Sequence, residues 1–171
     1  MLRKYPDFKL SLSMSGTFLE QAQQFNPEVL ESFKRLVATG RVEILSSPYH
    51  HSLAFFYSLQ EFETQIELHR QAIRRIFGVE TRVLANTELA YNDQLAKWAE
   101  NHDFSGVLAE GWDPILDWRS PNYVYRPSGT EKIGLLLKNY RLSDDLAFRF
   151  SNRNWSGWPL TAEKFNAWAM D

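Results

Sequence analysis

The chain has 171 residues, with 19 Lys and Arg against 21 Asp and Glu, for a formal net charge of -2. That length suits one domain with a real core, and the charge balance gives neither the basic face that nucleic acid demands nor a polybasic patch for a membrane surface. There is no cysteine, so disulfides and thiolate chemistry are excluded and a reducing, cytoplasmic setting is expected; no apolar run spans a bilayer, and the opening MLRKYPDFKLSL has no h-region of a secretory signal.

FKLSLSMS alternates, with Phe8, Leu10, Leu12 and Met14 on one side, and reads as a strand. NPEVLESFKRLVATG reads as a helix, with Asn26 at the cap, Pro27 in the first turn and Gly40 at the end. RVEILS is a short strand. SLQEFETQIELHRQAIRRIFG is the strongest helix: Ser58 and Glu61 make a capping box, Gly78 stops it, and Phe62, Ile66, Ile73 and Phe77 recur at helical spacing. TRVLANTE is a strand, NDQLAKWAENHD a helix, and SGVLAEG a further short strand. A long aromatic loop leads to the strand KIGLLLKN and the polar stretch YRLSDDLAFRFSNRNW. TAEKFNAWAM closes as a helix capped by Thr161.

Strands alternating with helices predict an α/β fold with a parallel sheet and outer helices. VEIL, VLA and GLLL are short apolar runs of the kind buried on both faces. A closed barrel needs about eight units and about 250 residues. Five strands therefore suggest that residues 1–171 are part of a single larger barrel domain, lacking strands at both ends.

In such folds the site lies beyond the C-terminal ends of the strands. Each of those ends is polar. VEIL is followed by SSPYHHS, VLAN by TELAYN, GVLA by EGWD, and GLLLKN by YRLSDD. Carboxylates, imidazoles and aromatics thus converge, as acid–base work on a polyhydroxylated substrate requires. Glu88 is the most pointed case, since a strand interior has no use for an unpaired carboxylate. Trp112 with Asp113 reads either as an aromatic face beside a hydroxyl acceptor or as a loop Trp packing on its neighbours. Asp144 and Asp145 read as a helix cap or turn rather than a catalytic acid, although Asp145 can still line the cleft. Glu43, inside VEIL, points either into a barrel or to solvent. His50 and His51 lack a third ligand at metal spacing, so no metal and no cofactor is expected. His69 and His102 read as ordinary helix residues.

GRVEILSSPYHHSLA and VLANTELAYND resemble the second and third signature stretches of glycoside hydrolase family 57, in its α-amylase-like branch. SMSGTFLEQ, WRSPNYVYRP and NYRLSDDLAFRFSNRNW are similar to that branch as well, so the resemblance covers nearly the whole chain. It implies a partial (β/α)7-type barrel and a retaining enzyme that hydrolyses or transfers α-glucan linkages, as in starch or glycogen. It also implies that Glu88 is the nucleophile and that His51, at the rim of the sugar site, touches substrate. The family's H-Q-P stretch and its D-Y-E-T-F-G stretch, which carries the acid/base Asp, are absent from these residues. A metal-dependent polysaccharide deacetylase of a related barrel is a weaker alternative, because no H-x3-H pair and no T-F-D-D stretch occurs. A non-catalytic carbohydrate-binding piece is the third.

Overall fold

Ser58 starts the longest helix because its hydroxyl accepts from the Glu61 amide at 3.3 Å, and Gly78 ends it at φ +70, a conformation only glycine adopts freely. The capping box is half made: Glu61 turns its carboxylate to Gln65 instead. This helix anchors the fold in the computed structural model, which describes residue 2 and residues 4–170.

In chain order the elements are β1 (Leu10–Leu12), α1 (Gly16–Phe25), α2 (Pro27–Val37), β2 (Val42–Ile44), α3 (Leu59–Phe77), β3 (Val83–Ala85), α4 (Asp93–Asn101) and β4 (Gly106–Glu110). There follow α5 (Asp113–Leu116), β5 (Gly134–Lys138), α6 (Tyr140–Asp144) and α7 (Ala162–Met170). β1 pairs with β2, β3 with β4 and β4 with β5, all in parallel. Between the two sheets, Ser46 faces Leu84 in a single parallel bridge, made by Ser46 N–H to Val83 O and Ala85 N–H to Ser46 O, both 2.8 Å. Five parallel strands therefore stand side by side in sequence order. A doubly wound sheet reverses its order at a switch point, whereas a barrel wall does not.

Alternation assigns the faces. Leu10, Leu12, Val42 and Ile44 pack with Leu19, Leu30, Val37 and Ile73 of α1, α2 and α3. Leu84 and Val107 pack with Phe62, Ile66, Leu95 and Trp98 of α3 and α4. α3 thus joins both clusters and backs the bridge. The opposite face carries Ser11, Glu43, Leu108, Glu110, Leu136 and Lys138, exposed or half-buried. This helix-free face is the one a barrel turns inward.

Four sequence expectations need correcting. The first strand is three residues long, and Phe8 lies outside it, exposed. α1 was not anticipated; Ser15 caps it by accepting from Phe18 N at 3.2 Å, and Gly16 opens it because a Cβ there would collide with the Tyr49 ring. Asp144 and Asp145 sit where one helix runs into the next and make no side-chain capping bond. Asn139 caps α6, and the helix runs on through Asp145–Arg149 as a π-helical turn. Asn26 occupies the start of α2 without a side-chain capping bond, so Pro27 carries that start alone.

Candidate active site

After β2 the chain turns through Ser46, Ser47 and Pro48, all buried, and then lifts into Tyr49–Ser52. Gln65, buried on α3, holds this loop on both sides of His51: its Oε1 accepts from His50 N at 3.2 Å and from Ser52 Oγ at 3.0 Å. His51 itself sits at φ +54. Nothing in the sequence alone pointed to Gln65, because its role depends on a loop 13–15 residues away.

After β3 comes a tighter turn. Glu88 and Leu89 are both left-handed, at φ +55 and +53. A left-handed residue other than glycine costs on the order of 1–2 kcal/mol, and such outliers concentrate at functional sites. The turn lifts the Glu88 side chain clear of the sheet, 78% exposed. Its Oε1 lies 3.1 Å from His51 Nε2, the one side-chain partner either group makes among the described residues. The pair joins the mouths of β2 and β3, and its members are 37 positions apart. Below it, Ser46 Oγ, Ser47 Oγ, Asn86 Oδ1 and Thr87 Oγ1 are buried without hydrogen-bond partners. Beside it, Tyr91 donates to Asp93 Oδ1 at 2.9 Å, and burial together with that carboxylate pushes its phenol well above its usual range.

The mouths of β4 and β5 are built differently. Glu110 pairs with Lys138 at 3.3 Å across the register. Asp113 Oδ2 accepts from Tyr140 at 2.8 Å and from the Arg141 guanidinium, and these two bonds hold its carboxyl below the usual range. Trp112 stands 57% exposed next to it. Asp145 lines the same groove, of about 740 Å³ and bordered by Asp113, Tyr140 and Trp168. Asp145 is itself buried and bonded to Arg149 at 2.6 Å, so its carboxylate is already engaged. Glu43 projects from the helix-free face, where Ser11 Oγ donates to it at 3.0 Å; its bond is to β1 and not to Glu88. His69 is a core residue, its Nε2 2.7 Å from Met14 O, and burial lowers its pKa. Among the described residues no three of His, Asp and Glu gather as ligands would.

The model of glycosyl hydrolase family 57 matches residues 1–170. A Methanocaldococcus jannaschii protein named "Putative alpha-amylase" is 50% identical over 163 residues, which is 95% of this chain and 34% of that protein. The crystal structure of 4-alpha-glucanotransferase from Thermococcus litoralis superposes with a TM-score of 0.73 at 20% identity, over 86% of this chain and 24% of that one. A "putative polysaccharide deacetylase" from Mycobacterium smegmatis shares the fold too, with a TM-score of 0.65 at 17% identity, over 99% of this chain and 54% of that one. The chain thus spans about a third of the length of the M. jannaschii relative.

Proposed function

This chain belongs to glycosyl hydrolase family 57, and on that premise we propose that it forms one wall of a retaining α-glucan-active barrel in which Glu88 is the nucleophile. The observation that carries the reading is the Glu88–His51 pair. It is an exposed carboxylate at a strand mouth, held in a left-handed turn and met by an imidazole rather than by a lysine or arginine.

The chemistry follows from that placement. The Glu88 carboxylate attacks the anomeric carbon from one face of the ring, and the glycosidic oxygen leaves with a proton from a second carboxyl group. Water, deprotonated by that second group, or a glucan hydroxyl then displaces Glu88. Retention needs the two carboxyls about 5–5.5 Å apart. Three of the acids at the β4 and β5 mouths are already answered by a cation: Glu110 by Lys138, Asp113 by Arg141 and Asp145 by Arg149. A general acid must hold its proton near working pH, which an ion-paired carboxylate does poorly. We place the acid/base on none of these three and, as the resemblance to the family implies, on a segment outside these residues. His51 steers the Glu88 carboxylate and stays at the rim of the sugar. Trp112 offers a ring face to glucose. Both bonds to Asp113 land on Oδ2, which leaves Oδ1 to accept from a sugar hydroxyl. Glu43 faces the barrel interior one bond from Ser11.

The deacetylase reading has a fold likeness in its favour, but its metal requires convergent ligands, and no such group of three forms among the described residues. The hydrolase reading has both the family and the aimed carboxylate. The test is Glu88→Ala in the intact enzyme with and without sodium azide. Turnover of a chromogenic maltooligosaccharide should be lost. Azide should then attack the anomeric carbon in place of the carboxylate and yield a β-glycosyl azide. Undiminished turnover without azide would remove Glu88 from the mechanism.

A further inference from the structure

The turn that carries Glu88 is strained, and the structure shows what holds it. Two consecutive residues with ordinary side chains, Glu88 and Leu89, are left-handed, and such a turn relaxes unless its surroundings fix it. Two of its closing bonds are backbone: Leu89 N–H to Asn86 O and Ala90 N–H to Thr87 O, both 3.0 Å. The third comes from a side chain. Asn86 Nδ2 donates to Ala90 O at 2.8 Å, spanning the whole turn from its first residue to its last. Asn86 is only 2% exposed, so this bond is made away from competing water. Its Oδ1 is buried with no partner. The carboxamide is therefore present for its donor end, and a carbonyl facing it at 2.8 Å admits only the nitrogen there. The ends of the turn are fixed as well: Ala85 N–H binds Ser46 O, and Asn92 caps α4 through Leu95 N at 2.9 Å. The turn is thus slung between two rigid elements, with one side-chain strut across it.

We propose that Asn86 is a positioning residue, which sets the direction of the Glu88 carboxylate by locking the Asn86–Ala90 turn. This inference rests on the reading of Glu88 as the nucleophile. Asn86 touches no substrate, so its loss acts on the bond-making step rather than on binding. A displacement of about 1 Å at a reacting group can cost on the order of 10²-fold in rate.

The experiment compares Asn86→Ala, Leu89→Val and Glu88→Gln in the intact enzyme, with kcat and KM measured on a chromogenic maltooligosaccharide and folding checked by circular dichroism. Asn86→Ala removes the strut. Leu89→Val keeps the strut but introduces a β-branched residue that resists the left-handed conformation, so the turn is tested even if the first variant fails to fold. Both should lower kcat by roughly 10- to 100-fold with KM within about threefold. The outcomes separate cleanly. If Glu88→Gln is inactive while a folded Asn86→Ala, or Leu89→Val, keeps its kcat, the strut does not position Glu88 and the nucleophile assignment stands. A rise in KM at constant kcat would make the turn a binding element and overturn the proposal equally. If Glu88→Gln keeps its turnover, the reading beneath the proposal fails first.

Discussion

The two pairs of strand mouths in this wall use the same residue types in opposite ways. At β4 and β5, three carboxylates have a cation: Lys138 for Glu110, Arg141 for Asp113 and Arg149 for Asp145. At β2 and β3, Glu88 has only the His51 imidazole, and it projects further into solvent than any of those three. A cation within a few ångströms stabilises the anion and blunts it as a nucleophile. A histidine steers the carboxylate without that permanent charge. Arg and Lys clamp the carboxylates at one pair of mouths, and at the other the exposed Glu88 carboxylate meets only an imidazole.

Substitutions can break this contrast or sharpen it. Glu88→Gln should have the largest effect, a fall in kcat on the order of 10³–10⁶, with circular dichroism unchanged because the side chain is exposed. His51→Arg would rebuild the open mouth in the image of the clamped one. Its expected cost is about 10- to 100-fold in kcat, and unchanged kinetics would show that the missing cation is unimportant. Trp112→Ala should act on binding, raising KM by about 3- to 10-fold for a stacking contribution of about 0.5–1.5 kcal/mol and leaving kcat nearly intact. Arg141→Ala should leave kcat within about threefold and lower Tm by only about 2–4 °C, since exposed ion pairs contribute little.

Acid should strip the structure from elsewhere. Buried His69 has its folded pKa lowered from 6.5, so the unfolded chain takes up a proton that the folded one refuses. Stability is fully present above about pH 6.5 and declines as pH falls from there toward the lower folded value. Thermal melts of His69→Gln should show a flatter slope across that window; an unaltered slope would assign the acid sensitivity to another group.

Much of the fold was legible because alternation reports faces. Leu10 and Leu12 could be put on one side of a strand from the sequence alone, and that side is the helix-backed one. α1 was not, because its exposed residues Glu20, Gln21, Gln23 and Gln24 leave only Gly16, Leu19 and Ala22 buried, too thin an apolar stripe to register. Ser15, as a cap, was the available signal. Glu88 could be picked out because a carboxylate ending an apolar strand is costly unless it is used. Its bond to His51, the Gln65 anchor and the Asp113–Arg141 clamp could not, since each joins residues brought together only by tertiary folding. The Asp145–Arg149 pair is the exception. Its i, i+4 spacing is written in SDDLAFR, but reading SDD as a cap or turn hid the helix that brings the two together.

The one-residue bridge at Ser46 has a mechanical meaning. His51 comes off the sheet on one side of that bridge and Glu88 off the sheet on the other, and across the bridge itself only two backbone hydrogen bonds tie the two sheets together. The His51 imidazole and the Glu88 carboxylate therefore straddle a seam. Parting of the wall there would lengthen the 3.1 Å bond between them.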